Sequence, residues 1–186
     1  MGDIEADKDK LGLGPITVEE LKEVDIVLLD PILREHVRDS ETGEIIEEEI
    51  EEIKGYMRGN TDEYGRIRKY IVAKNAEGEM LGFMGLTIPD PDLISLYSTT
   101  SQESSELVNA FVSSAVFRGG GIGIKLFNEA CEIVRQEGKK QVLLSSGPRY
   151  RESWGFYDKV CDARGGILVN KFGPGRDAHT WRKNLK

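Results

Sequence analysis

The run "FRGGGIGIKLFNEACEIV", residues 117–134, puts four glycines in five positions and turns at once into a helix pattern. Before it stands "ELVNAFVSS", 106–114, apolar on both parities and therefore read as a strand buried on both faces. After it, Ile122, Leu126, Phe127, Ala130, Ile133 and Val134 repeat at helical spacing, and "KQVLLSS" follows as a second buried strand. A strand, a helix and a strand in that order imply a parallel pair, because a tight turn can only join antiparallel neighbours. A Ser or Asp cap would start the helix better than glycine does. Glycines are suited instead to backbone that must approach something closely. At a helix N-terminus, with its unpaired N–H groups and positive dipole end, that partner is expected to be an anion.

Three phosphate-binding patterns can be tested against the spacing. A dinucleotide fingerprint, G-x-G-x-x-G, needs its last glycine where Ile124 or Leu126 stands. A P-loop needs a hydroxyl residue after its lysine, and Lys125 is followed by Leu126. The pattern [Q/R]-x-x-G-x-[G/A] is filled by Arg118, Gly121 and Gly123. Successive N–H groups from Arg118 through Gly119, Gly120, Gly121 and Ile122 to Gly123 could then wrap a pyrophosphate.

The rest of the chain sets the frame. Thr17 and Glu20 form a capping box ahead of Leu21, Val24 and Leu28, which predicts a helix there. Asp30 and Pro31 predict the start of another. Ile46, Ile50, Ile53 and Met57 make one apolar stripe of a helix whose other faces carry seven glutamates between 41 and 53. "RKYIVAKNAEGEMLGFMGLTI" reads as a hairpin, with Gly82 and Gly85 marking close packing or a bulge. Residues 93–97 read as a short strand, "YRESWGFYDKV" as a short helix, and "GGILVNKF" and "TWRKNL" as closing strands. The expected architecture is mixed α/β, with helices flanking the sheet. Residues 1–13 are expected to be a flexible tail and 14–186 a single domain.

Charge and composition exclude more than they assign. A net charge of −8 disfavours nucleic-acid binding, which needs a basic face. No apolar run is long enough to span a membrane, and the polar, acidic start is not a signal peptide. Cys131 and Cys161 do not make a disulfide framework, so a reduced, cytoplasmic setting is expected. His36 and His179 lack any metal-ligand spacing, so no metal is expected and both are read as surface or satisfied core residues.

"ELVNAFVSSAVFRGGGIGIKL" resembles the acetyl-CoA signature of the GNAT superfamily of N-acetyltransferases, and "SWGFYDKV" resembles that superfamily's later helix. One strand separates the two blocks, as in that family, and the likeness covers roughly residues 106–160. It implies a GNAT-like fold: a mixed, mostly antiparallel sheet with a splayed central parallel pair, flanked by helices. It also implies acetyl-CoA as acyl donor, with the pantetheine arm lying in the gap of the splayed pair. Phe111, Val112 and Ser113 would line one wall with backbone groups and Ser145 and Ser146 the other. Tyr157 falls where the family places the tyrosine that protonates the departing thiolate. Glu106 falls near a glutamate that draws the amine's proton in histone-type members, or is an ordinary strand-end glutamate. Asn109 either orients the substrate or faces solvent, and the amide of Val112 is the expected oxyanion donor. The chain departs from the family pattern at Ser113, where valine is frequent, at Ala115, where proline is, and at Tyr150, where asparagine is. It departs again at Val160, Cys161 and Asp162, where Leu-Gly-Phe is usual.

The function expected is therefore acetyl transfer from acetyl-CoA to a primary amine, of a small molecule in the first instance, by direct attack in a ternary complex. The rivals are a coenzyme-binding module without catalysis, an acetyltransferase acting on a protein or peptide amine, and a nucleotide-binding protein. The resemblance also allows a homodimer.

Overall fold

The computed structural model describes residues 14–114 and 121–186. The expected tail at 1–13, and Arg118, Gly119 and Gly120 of the glycine run, lie outside the described residues.

Seven strands are found among the described residues, in the sheet order β1-β2-β3-β4-β5-β7-β6. β1 (Thr17–Glu20) runs antiparallel to β2 (Lys69–Lys74), with Thr17 opposite Lys74 and Glu20 opposite Ile71. β3 (Met80–Thr87) and β4 (Ser104–Val112) come next. β4 pairs in parallel with β5 (Gln141–Ser146), which is antiparallel to β7 (His179–Asn184). A two-residue β6 (Ala163–Arg164) closes the edge against β7. The expected mixed sheet with one parallel pair is thus the observed one. Among the described residues no helix is long and apolar enough to cross a membrane.

The chain divides into two compact units. The first holds residues up to Gly85 together with Asn109–Glu129. Its helices are α1 (Asp30–His36), α2 (Glu47–Met57) and the first half of α4 (Ile122–Gln136). The α2 stripe forms as its spacing predicts, with Ile50 and Ile53 buried. The hairpin β2–β3 also forms as read, its turn closed by Asn75, whose Oδ1 accepts from the amides of Glu77 and Glu79. At Gly82 two strands come close: a Cβ there would lie 2.9 Å from the Phe111 carbonyl and 3.2 Å from Val112 Cα.

The second unit holds Leu86–Val108 and Ala130–Lys186. Its helices are α3 (Pro91–Tyr97) and α5 (Trp154–Val160). Trp181 and Leu143 are fully buried in it. Its loop from Gly165 to Ala178 lies tight on α3. A Cβ at Gly165 would sit 1.9 Å from the Tyr97 hydroxyl and one at Gly166 would sit 2.8 Å from Leu96. Lys171 Nζ reaches Asp92 Oδ2 at 2.6 Å and Asp90 Oδ2 at 3.2 Å.

Three expectations are corrected. Thr17 and Glu20 do not cap a helix: they are the ends of β1, and a 3-10 helix follows at Glu23–Leu29. Edge pairing with β2 outweighs the local capping signal, and Ile26 and Leu29 turn inward while Val24 and Leu28 stay exposed. Residues 93–97 are not a strand but the body of α3. Asp90 caps it, accepting from the amides of Asp92 and Leu93, and Pro91 occupies its first turn. "GGILVNKF" is not a strand either: Leu168 makes an isolated bridge to Ala178 within the loop.

Candidate active site

In the first unit, the end of β4 is built from Asn109, Phe111, Val112 and Ser113. Asn109 has φ +47°, a left-handed conformation in the middle of a strand. Asparagine tolerates it better than most residues, and such strain concentrates at functional positions. Ser113 donates its amide to the Leu81 carbonyl on β3 at 2.8 Å. Backbone groups alternate sides along an antiparallel strand, so the amide and carbonyl of Val112 are directed away from β3. That carbonyl accepts from His36 Nε2 at 2.7 Å, and the imidazole stacks on Phe111 at 5.1 Å between centroids. Glu35 adds a second tie from the same turn of α1, accepting from the Ser114 amide at 2.9 Å.

α4 begins just beyond the glycine run. Gly121 has φ +76°, and a Cβ there would meet nothing within 4 Å. The first turn of α4 holds no acidic residue, whereas α2 opens on Glu47, Glu48 and Glu49. In an acidic protein, α2's positive dipole end is thus neutralised by its own side chains and α4's is not. Ile122 anchors the start of α4 in the core, and Gly123 leaves its first turn without bulk. The donor set suits a diphosphate at the α4 N-terminus.

In the second unit, parallel pairing of β4 with β5 covers Ser104↔Gln141, Ser105↔Val142 and Glu106↔Leu143. Leu107 and Val108 have no β5 partner although β5 continues to Ser146. The parallel pair therefore parts after three residues, as a splayed pair must. Glu106 is 5 % exposed, and its Oε2 accepts from the Asp90 amide at 2.9 Å, at the turn into α3. Ser146 lies opposite His179 and its hydroxyl accepts from Trp154 Nε1 at 3.1 Å; Ser145 lies opposite Thr180. Tyr157 is buried on α5, with the Trp181 ring 5.2 Å away. Burial holds its phenol well above the ordinary range, and Cys161 and Tyr150 push the same way. It keeps its proton at any physiological pH. Cys131 is buried, and burial lifts its thiol to about 11.

The candidate residues thus fall in two groups. Asn109, Phe111, Val112, Ser113, Gly121, Ile122 and Gly123 belong to the first unit, and Glu106, Ser145, Ser146 and Tyr157 to the second. Sequence reading missed His36, Arg68 and Tyr70, which gather on the end of β4. Among the described residues no cluster of His, Cys, Asp and Glu could hold a metal ion.

Residues 30–162 match the profile of the Acetyltransferase (GNAT) family. The chain belongs to the GNAT acetyltransferase family. No curated relative matches it in sequence. Solved GNAT structures share its fold. A GNAT-family protein of Desulfovibrio desulfuricans superposes with a TM-score of 0.70 at 16% identity, over 92% of this chain and 100% of its own. An IAA acetyltransferase from Bacillus cereus gives 0.61 at 18% identity, over 92% and 100%. An aminoglycoside 6'-N-acetyltransferase complexed with coenzyme A gives 0.62 at 18%, over 90% and 96%. The GNAT match includes β4, the glycine run, α4, β5 and α5, the elements that carry the candidate residues.

Proposed function

We propose that the protein is an acetyl-CoA-dependent N-acetyltransferase that acetylates a primary amine of a small molecule by direct attack in a ternary complex. The observation that carries this reading is the acid-free N-terminus of α4, set directly after β4 within the stretch that matches the family. Acetyl-CoA supplies an activated acyl group. Its diphosphate would rest on the amides of the glycine run and the first turn of α4, with Arg118, Gly119 and Gly120 completing the cradle. Phe111, Val112 and Ser113 would line one side of the pantetheine arm, and Ser145 and Ser146 the other.

The amine nitrogen attacks the thioester carbonyl and the C–S bond breaks. The Val112 amide, directed away from β3, holds the developing oxyanion. Glu106 takes the proton that the amine must lose, and Tyr157 gives one to the leaving thiolate. A phenol holds its proton at neutral pH, which is the form this transfer requires. The superposed aminoglycoside enzyme, complexed with coenzyme A, supports a small-molecule acceptor.

Calorimetry with acetyl-CoA, CoA and ATP tests the donor, and thiol release against an amine panel tests the chemistry. Gly121→Glu places bulk and negative charge at the phosphate position and is expected to abolish acetyl-CoA binding; retained affinity would overturn the assignment. Tyr157→Phe is expected to lower turnover more than coenzyme affinity, and an unchanged rate would remove Tyr157 from the mechanism.

A further inference from the structure

Past Asn109 the end of β4 is held by a strand on one side only. β3 holds that side, through the Ser113 amide and the Leu81 carbonyl at 2.8 Å. On the side away from β3 no strand pairs with Val112, because the parallel ladder with β5 ends at Glu106. Two consecutive side chains of α1 take over its backbone groups there. His36 Nε2 donates to the Val112 carbonyl at 2.7 Å, and Glu35 Oε1 accepts from the Ser114 amide at 2.9 Å. A donor for residue i and an acceptor for residue i+2 are what one residue of a parallel strand offers its neighbour.

The pair is held firmly. A carbonyl only accepts, so the ring nitrogen facing it carries the hydrogen, and both the neutral and the protonated imidazole can supply one. The ring lies flat on Phe111, 5.1 Å between centroids at 11°, and Phe83 meets Phe111 edge-on at 5.6 Å. Glu35 Oε1 is also 3.4 Å from His36 Nε2. α1 is anchored in turn, with Ile32 and Leu33 buried and Arg34 tied to Glu47 of α2. From β2, the Tyr70 hydroxyl and Arg68 Nη1 steady Asn109 Oδ1 at 2.8 and 2.6 Å.

These are not struts sunk in the core. The His36 and Glu35 side chains are 25% and 30% exposed, so their bonds are made at an open edge. At that edge the Val112 amide is directed the same way as the carbonyl that His36 holds. It is the group given above to the developing oxyanion. Such a donor acts best when its direction is set before the charge appears. A strand that has just turned left-handed at Asn109, with no strand on one side, does not set it alone.

We propose that His36 and Glu35 are positioning residues for acyl transfer: they fix the backbone of Val112 so that its amide meets the thioester oxygen as it becomes an oxyanion. This rests on the acyl-transfer reading above and adds the last turn of α1 to it. A carbonyl oxygen has two lone pairs, so His36 leaves Val112 able to accept from the pantetheine arm as well.

The test measures thiol release from acetyl-CoA, with water alone as acceptor and with the best amine of the panel, since both reactions pass through the same oxyanion. Calorimetry with CoA gives the affinity separately. His36→Phe keeps an aromatic ring on Phe111 and removes the donor. It is expected to lower kcat about ten- to a hundredfold in both reactions, with the CoA Kd unchanged within about threefold; outright removal of an oxyanion donor costs ~10²–10³. His36→Gln puts an amide N–H back and is expected to restore most of the rate with the wild-type pH profile. Wild-type kcat in a folded His36→Phe protein would overturn the inference. So would tighter CoA binding, which would make the pair a competitor of the arm, or a Gln variant as slow as the Phe one, which would make the ring a proton carrier. Should His36→Phe fail to fold, Glu35→Ala against Glu35→Gln decides in the same way, because only Gln keeps an acceptor for the Ser114 amide. A wild-type protein that binds no acetyl-CoA and releases no thiol would instead sink the acyl-transfer reading, and this inference with it.

Discussion

The two ends of β4 are built on opposite principles. At the first end Ser104 is completely buried, tied to Thr99 at 2.6 Å and to Gln141 Nε2 at 2.8 Å. Ser105 accepts from Lys139 at 2.9 Å, and Glu106 holds the turn into α3. Every side chain there is spent on the strand's own neighbours. At the far end the backbone turns left-handed at Asn109, Val112 faces away from β3, and side chains arrive from α1 and β2 to steady what the ladder does not. The lesson is that one strand can supply a fixed reference and a working edge, provided that the strain is confined to the second.

The comparison can be broken by substitution at either end. The largest effect is expected for Gly82→Val. Its side chain would meet the Phe111 carbonyl and Val112 Cα. Overpacking of backbone costs about 3 kcal/mol. At ~2–4 °C per kcal/mol for a chain of this size, the melting temperature should fall by roughly 10 °C. A fall of under 2 °C would mean that the working edge is pliant.

Next comes Glu106→Ala, which leaves the Asp90 amide unpaired and should cost about 2 kcal/mol in denaturant unfolding. Glu106→Gln sharpens the point, because its amide oxygen can still accept that N–H. It should keep the stability and lose about a hundredfold in kcat if Glu106 is the proton acceptor. Loss of stability with full activity would make the residue only a strut.

Asn109→Val puts a β-branched residue at φ +47° and is expected to cost about 1–2 kcal/mol. An equal cost for Asn109→Gly, which is at ease at positive φ, would move the penalty from backbone strain to the lost side-chain bonds.

The smallest effect is a pH dependence. Burial works to raise the carboxyl of Asp62, but its bonds from Arg66 and the Tyr64 amide outweigh this and hold it below its ordinary value. A depressed carboxylate stabilises the fold above its unfolded pKa, about 4, and the contribution is lost as pH falls through the lower folded value. Melting curves should therefore show no loss from this group between pH 7 and 5, and a decline below about pH 4 that Asp62→Asn removes.

How much of this was legible varies with the range of the interaction. α2, α4 and the β2–β3 hairpin were readable because period and turn chemistry are local, and so was the parallel pair, which the strand–helix–strand order implies. The first helix was misread because Thr17–Glu20 pair with residues more than fifty positions away. α3 was misread although its Asp90–Pro91 start is a good helix signal, because the short apolar run after it also fits a strand. For the candidate site, the glycine motif points to Gly121, while Glu106, Asn109 and Tyr157 enter as proposals through the family resemblance. The partners of β4 could not be found either way. His36 meets Val112 across 76 positions, Arg68 meets Asn109 across 41 and Tyr70 meets it across 39, and no local pattern announces such meetings.

The contact of Gly165 and Gly166 with Tyr97 and Leu96 carries a consequence for how sequences like this one can drift. The two sites differ in how tightly they are bound. A methyl at 165 would lie 1.9 Å from the Tyr97 hydroxyl and 2.8 Å from Thr180 Oγ1, two groups that are hydrogen-bonded to each other, so that position can grow only if both partners change together. A methyl at 166 meets only the end of the exposed Leu96 side chain, which can turn aside. Among homologues, a bulkier residue at 165 should therefore arrive with changes at both 97 and 180, whereas 166 should vary without a partner.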